Sequence, residues 1–143
     1  MKKIIIILVL LFLGVKVFLM PPANKEVKLK LSLIEEEIKR MGYNPKWFII
    51  SEKRREWYNG MLPNSAKGSY HLHGKAIDIY VIDIDGDGTF TASDIKIFQD
   101  CNNKVERKNP GLAGALGTYT TKDYLSKHMI HIDTRGKSKR YNK

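Results

Sequence analysis

Residues 69 to 82 read Ser-Tyr-His-Leu-His-Gly-Lys-Ala-Ile-Asp-Ile-Tyr-Val-Ile, and the second half of this stretch carries the strongest signal for the fold. The run from Ala76 to Ile82 is short, apolar and rich in β-branched residues, which predicts a buried strand. It contains one acid, Asp78. Because an ionised carboxylate is costly to bury unless it is paired or bound to a metal ion, Asp78 predicts a cation beside this strand.

Two histidines are candidates to share that cation with Asp78. His71 precedes Asp78 by seven residues across a turn that contains Gly74, and His131 lies in a second apolar run, 129–133. Three protein ligands with a fourth position open to water are typical of a catalytic zinc site, so we predict zinc bound by His71, Asp78 and His131. The alternatives are a set of structural polar residues without a metal and a zinc-binding domain without activity.

The rest of the chain predicts one α+β domain with a small antiparallel sheet and flanking helices. Helices and strands follow one another without regular alternation, which favours this class over a doubly wound fold. The predicted elements are a helix from Lys25 to Met41, a strand from Trp47 to Ser51, a helical turn or loop from Glu52 to Leu62, a helix from Ala92 to about Val105, an irregular glycine-rich segment from Asn109 to Thr118, and a last strand from Met129 to Asp133. The only cysteine, Cys101, excludes an internal disulfide and a cysteine-based metal site.

The N-terminus has the features of an export signal. Two lysines precede an unbroken apolar run from Ile4 to Val15, a length that suits the hydrophobic region of a signal peptide better than a membrane span. Apolar residues resume after Lys16, so that residues 1–23 are either a cleaved signal peptide or a retained membrane anchor. The folded domain is then 24–143, exported to the cell envelope or the extracellular space, and we expect it to be a monomer.

The chain is basic, with 25 lysines and arginines against 15 acids and a formal net charge of +10. Such a charge suits anionic surroundings: nucleic acid, phospholipid or phosphate-bearing cell-wall polymers. Because no nucleic-acid-reading motif accompanies the charge, we do not expect nucleic acid as a partner.

Two motifs together resemble those of the zinc D-Ala-D-Ala carboxypeptidase superfamily, which shares its fold with the hedgehog signalling domain and the vancomycin-resistance dipeptidases. The pattern S-x-H-x-x-G-x-A-x-D is matched over residues 69–78, and a later apolar strand with His-x-Asp is matched at His131 and Asp133. The likeness extends over residues 31–141. It implies a hedgehog- or D,D-peptidase-like fold, the three zinc ligands proposed above, and peptidoglycan stem peptides as the substrate.

The resemblance also implies roles for residues around the metal. Arg54 corresponds to an arginine that holds the substrate or its developing negative charge, and Ser69 would position the peptide. The dipeptidases of the family carry a glutamate as general base three residues before the last ligand, where this chain has His128. We therefore predict that His128 or Asp133 transfers the proton. His73 falls on a variable position of the motif and is the weaker candidate for a ligand.

Residues 83 to 94 predict a second cation site. They read Asp-Ile-Asp-Gly-Asp-Gly-Thr-Phe-Thr-Ala-Ser-Asp, the spacing of an EF-hand calcium loop. The predicted calcium ligands are Asp83, Asp85, Asp87, Thr89, Thr91 and Asp94. A strand leads into the loop where an EF-hand has a helix, and Asp94 stands where glutamate is usual, so an acidic turn without calcium is the alternative. Since the loop follows the strand of Asp78, a bound calcium ion would brace the zinc site.

The resulting hypothesis is a zinc-dependent peptidase that cuts peptidoglycan stem peptides, as a carboxypeptidase or an endopeptidase. Zinc activates a water molecule and polarises the scissile carbonyl in such enzymes. The alternative is a catalytically inactive module, stabilised by zinc and calcium, that binds the cell wall or another partner.

Overall fold

The computed structural model describes residues 20–62, 65–120 and 124–143, together with the single residue 15. The segment predicted as a signal peptide or anchor, 1–23, therefore lies almost entirely outside the described residues. Within the described ranges, no helix combines the length and the apolar character that crossing a bilayer requires.

Two long helices and a mixed sheet form the framework of the described chain. The elements are α1 (Lys25–Arg40), β1 (Lys46–Ser51), α2 (Glu56–Met61), β2 (Ala76–Asp83), α3 (Ala92–Lys108), a 3-10 turn (Pro110–Leu112), β3 (Ala115–Thr118), α4 (Tyr124–Lys127), β4 (Met129–Asp133) and β5 (Lys139–Asn142). The α+β class is confirmed, and so are the two long helices and the strands around Asp78 and His131.

The five described strands are ordered β1-β2-β4-β3-β5. Neighbours are antiparallel except β3 and β5, which run parallel to each other. The expectation of an irregular segment from Asn109 to Thr118 was wrong for its last four residues, which form β3. This strand is short and contains glycine, so pairing with β4 and β5 rather than local propensity holds it in the sheet.

The helices α1 and α3 pack against each other and against one face of the sheet. The fully buried members of this core include Val27, Ile34, Ile38, Ile77, Ile79, Val81, Phe98, Ile130 and Ile132. Because successive side chains of a strand point to opposite faces, Asp78 and His131 lie on the face away from the helices. The fold thus separates an apolar layer from a polar face that carries the candidate site.

A buried ion pair ties the two long helices to β4. The Nζ atom of Lys30 lies 2.7 Å from Oε1 of Glu106, and it donates to the main-chain oxygen of Asp133 at 2.9 Å. Glu106 also accepts hydrogen bonds from Ser138 and Arg140. Although burial alone would raise it, these donors lower the pKa of Glu106 to about 2. This network of buried charges therefore holds the C-terminal end of β4 in place.

Candidate metal centre

The three predicted zinc ligands come together on the polar face of the sheet. Asp78 and His131 are direct partners across β2 and β4, and His71 reaches them from the turn before β2. Their exposed fractions are 2% for His71, 4% for Asp78 and 8% for His131. Each residue offers one ligand atom, and these atoms lie within 4.8 Å of one another. The trio can hold a metal ion.

A tight turn from residue 69 to residue 74 presents His71. Main-chain hydrogen bonds from Leu72, His73 and Gly74 to the residues three before them close this turn. Gly74 has φ of +68°, a left-handed conformation that favours glycine, and a Cβ there would lie 2.5 Å from Oδ1 of Asn24. Asn24 also donates from its main chain to the Gly74 carbonyl at 2.8 Å. His73 is exposed, and its carbonyl accepts a hydrogen bond from the side chain of Asn24.

The tautomer of His71 makes it ready to bind a cation. Its Nδ1 lies 2.6 Å from the carbonyl oxygen of Glu52, and since a carbonyl can only accept, Nδ1 carries the proton. Nε2 then keeps its lone pair. Nε2 is 3.1 Å from Oδ2 of Asp78, yet the contact lacks hydrogen-bond geometry, and the buried Nε2 has no hydrogen-bond partner among the described residues. Two lone-pair atoms facing each other in a buried site fit a metal ion between them.

His131 lies between two carboxylates. Nδ1 is 2.7 Å from Oδ1 of Asp78, and Nε2 is 3.3 Å from Oδ2 of Asp133. Burial would lower its pKa, but hydrogen bonds to the two carboxylates raise the pKa of His131 to about 9. Burial likewise would raise the pKa of Asp78, while its hydrogen bond with His131 holds that pKa well below its usual range. A metal ion would replace the proton on Nδ1, because ligand nitrogens bind metals in their deprotonated form.

Asp133 is placed to orient His131. It is fully buried, accepts from the main-chain N–H of Ala115 at 2.7 Å, and forms an ion pair with Arg135. Burial would raise its pKa, but His131 and Arg135 keep the pKa of Asp133 well below its usual range. A carboxylate that accepts from the second nitrogen of a ligand histidine fixes the ring and its tautomer. Asp133 therefore suits a positioning role more than the proton transfer predicted for it.

His128, the other residue predicted to transfer the proton, lies in a ring stack. Its ring is parallel to that of Tyr80 at 4.9 Å and packs on Phe90 at 5.0 Å. Its Nδ1 is 2.9 Å from the carbonyl oxygen of Val81. This stack joins the end of β2 to the loop after it, and the structure does not bring the ring into the metal-binding trio.

Arg54 is brought to the trio and Ser69 is not. The Arg54 guanidinium donates to Oδ2 of Asp78 at 2.6 Å and to Oγ of Ser51 at 2.8 Å, and its main-chain N–H donates to the carbonyl of His71. Ser69 accepts a long hydrogen bond, 3.4 Å, from the main-chain N–H of His71. Ser69 thus shapes the turn of His71, and the predicted contact with substrate stays a prediction.

Two tyrosines beside the trio were missed from the sequence. Tyr141 of β5 and His131 of β4 both pair with Gly117, which lies between them on β3. The His131 and Tyr141 rings are 6.2 Å apart, and the hydroxyls of Tyr119 and Tyr141 are 3.5 Å apart. A glycine inside a strand indicates that another part of the chain approaches it closely, and Gly117 is the sequence feature that indicates this contact.

The acidic loop after β2 gathers three carboxylates. Asp83, Asp85 and Asp87 offer ligand atoms within 4.8 Å of one another. Asp83 is buried, Asp85 is half-buried and Asp87 is exposed. Lys46 of β1 forms an ion pair with Oδ2 of Asp83 at 3.1 Å, so one side of the cluster is already neutralised.

The last residues of this loop form a helix cap. Asp94 is fully buried, with Oδ1 accepting from the main chain of Ile84 at 2.6 Å and Oδ2 from that of Thr91 at 2.7 Å. Thr91 accepts from the main-chain N–H of Ser93 and caps the N-terminus of α3. Asp94 is not among the three aspartates whose ligand atoms converge; its Oδ2 serves the capping box and its Oδ1 binds the main chain of the loop. The Thr89 hydroxyl donates to Asp87.

Comparison with known proteins adds no assignment: no protein-family model matches this chain, and no curated protein matches it by sequence. The chemistry of the chain is therefore inferred from the trio itself. Two imidazoles and one carboxylate could hold a metal ion, and an arginine lies against the carboxylate.

Proposed function

We propose that this protein is a zinc-dependent peptidase that hydrolyses the stem peptides of peptidoglycan. The observation that carries the proposal is the buried trio of His71, Asp78 and His131, in which Nε2 of His71 and a carboxylate oxygen of Asp78 face each other without hydrogen-bond geometry. Two nitrogens and one oxygen are donors that zinc accepts, and three protein ligands leave a position for water or substrate.

The surrounding side chains support catalysis at such a site. Zinc, when bound, lowers the pKa of a water molecule and polarises the amide carbonyl. Asp133 orients His131 through a 3.3 Å contact, and Glu52 fixes the tautomer of His71 through its carbonyl. Arg54 lies against Asp78 with its side chain 14% exposed, so a cationic group borders the trio where an anionic substrate group could approach.

The substrate class is supported by charge and by the motifs. The chain carries a formal net charge of +10, which suits an anionic cell wall. The resemblance over residues 69–78 and at His131 and Asp133 points to peptides that end in, or contain, D-alanine. The depth of the cleft in the substrate complex decides whether the enzyme removes a terminal residue or cuts within the peptide.

A matched pair of histidine variants tests this function. The full chain, loaded with zinc, is incubated with purified muropeptides, and the products are identified by mass spectrometry. We expect cleavage by the unmodified protein and by His73→Ala, but not by His71→Ala. Both histidines belong to one turn but only His71 is buried, so the melting temperature of each variant is measured to exclude a general loss of folding. Cleavage by His71→Ala at the unmodified rate would contradict the proposal.

A second candidate function is a non-catalytic module that binds cell-wall peptides at the metal ion. The placement of His128 in a ring stack and of Asp133 in an ion pair favours it, because both residues expected to transfer a proton are engaged elsewhere. Binding of one zinc ion and of muropeptides, with no cleaved product, would support this module over the peptidase.

We further propose that the loop over residues 83–94 binds calcium as a structural ion. Three converging aspartates at alternate positions repel one another unless a cation lies between them. The test is the melting temperature of the zinc-loaded full chain with and without added calcium. We expect calcium to raise it in the unmodified protein and in the control Asp100→Asn, an exposed site on α3, but not in Asp85→Asn. An unchanged melting temperature in the unmodified protein would exclude the ion.

A further inference from the structure

The hydroxyls of Tyr119 and Tyr141 lie beside the trio, 3.5 Å from each other. We infer that these two hydroxyls form a donor pair that binds the carbonyl oxygen of the scissile amide as negative charge develops on it. This inference rests on the proposed function, and it assigns the stabilising donors to residues outside the two motifs.

The sheet places Tyr141 at the site by a specific register. His131, Gly117 and Tyr141 stand side by side on β4, β3 and β5. A Cβ at Gly117 would lie 2.3 Å from ring carbons of Tyr141 and 2.5 Å from its hydroxyl. The Tyr141 ring therefore lies directly over the glycine, on the same face of the sheet as the ring of His131, 6.2 Å away.

The contact with Tyr141 places the Tyr119 hydroxyl next to a hydroxyl whose ring lies beside His131. Burial raises the pKa of Tyr119. Burial also raises the pKa of Tyr141, with further increases from Asp78 and Asp133. Both phenols are therefore neutral near pH 7 and can act as O–H donors.

The contact between the two hydroxyls is weak enough for a hydrogen bond to a substrate oxygen to replace it. At 3.5 Å it is longer than the O–H···O distances of about 2.5–3.0 Å found in proteins. A developing oxyanion is a stronger acceptor than a neutral phenol, and charge-assisted hydrogen bonds are about twice as strong as neutral ones. A substrate oxygen placed between the hydroxyls would thus replace the weak mutual contact with a stronger one.

Arg54, the residue expected from the resemblance to stabilise this charge, is already engaged. Its guanidinium donates to Asp78 at 2.6 Å and to Ser51 at 2.8 Å.

In the reaction, a water oxygen bonds to the carbonyl carbon and the π electrons move onto the carbonyl oxygen. The C=O bond then re-forms, the C–N bond breaks, and the leaving amine takes up the proton that the attacking water has released. The tyrosine pair would bind the oxygen that carries charge between these events.

Phenylalanine variants test the pair. Kinetics on a muropeptide are measured for Tyr119→Phe, Tyr141→Phe, the double variant, and the control Tyr43→Phe, whose ring packs on the helical core. Since one oxyanion donor contributes about 10²–10³ in kcat, we expect kcat to fall by at least about tenfold in each single variant, with little change in KM or zinc content. A double variant with the kcat of the unmodified protein would overturn the inference.

A binding measurement separates this inference from the proposed function. A phosphinate analogue of the muropeptide carries a tetrahedral oxyanion, whereas a peptide with a reduced, uncleavable bond does not. We expect the double variant to lose affinity for the phosphinate and to keep its affinity for the reduced peptide. If the unmodified protein cleaves no muropeptide, the proposed function fails, and equal phosphinate affinity in the unmodified and double-variant proteins would then overturn the hydroxyl pair as well.

Discussion

Asp78 and His131 face each other directly across two antiparallel strands, with Oδ1 of the carboxylate 2.7 Å from Nδ1 of the imidazole. His131 in turn contacts Asp133 through its other nitrogen. The carboxylate of Asp133 therefore controls the direction in which His131 presents its ligand atom.

Replacing Asp133 should weaken metal binding without removing a ligand. In Asp133→Asn we expect the zinc dissociation constant to rise about 10- to 100-fold, as is typical when an outer partner of a ligand histidine is lost. Competition with a chromophoric chelator measures the constant, and the melting temperature reports folding. An unchanged constant in a folded variant would show that Asp133 does not orient the ring.

Replacing His128 should leave hydrolysis intact. His128→Phe keeps an aromatic ring between Tyr80 and Phe90, so we expect the stack and the kcat to be preserved. The measurement is muropeptide hydrolysis under saturating zinc. Loss of activity in a folded variant would instead identify His128 as the group that transfers the proton, with its ring leaving the stack to do so.

The buried ion pair of Lys30 and Glu106 should dominate the stability of the helical layer. We expect Lys30→Met to lower the free energy of unfolding by about 3–5 kcal/mol, because it leaves the Glu106 charge buried with fewer partners. Adding Glu106→Leu should recover a large part of that loss. Urea unfolding measures both, and equal stability of the single and double variants would contradict the account.

Stability should fall in acid partly through Glu106. Its pKa is about 2 in the folded protein against an ordinary value of 4.5, so its ionisation stabilises the fold above about pH 4.5 and stops doing so as pH falls towards 2. The unfolding free energies of the unmodified protein and Glu106→Gln should therefore converge between these pH values. Curves that stay parallel over the whole range would show that the carboxylate contributes no pH dependence.

The sequence predicted the ligands of the trio from an acid inside an apolar strand and from motif spacing. It did not predict that β2 and β4 would be neighbours with Asp78 opposite His131, because pairing register depends on the whole sheet. Whether His128 would lie in the trio could not be predicted either, because His128 occupies the turn before β4, where the alternation of a strand does not apply.

The residues that the sequence missed belong to long-range pairing. Tyr141 lies in a basic C-terminal segment with no strand pattern, and it reaches the site only because β5 runs parallel to β3. The loop over residues 83–94 shows a local effect instead. Asp94 fits the ligand spacing, yet its oxygens cap α3 and bind the loop main chain, a local competition that spacing alone does not show.

The most direct test of the zinc centre is a titration of metal-free full chain with zinc, followed simultaneously by metal binding and by muropeptide cleavage. Hydrolysis that rises in proportion to bound zinc and saturates at one ion per chain is the predicted result. Cleavage that is independent of zinc, or one tightly bound zinc ion without any cleavage, would contradict a catalytic centre built on His71, Asp78 and His131.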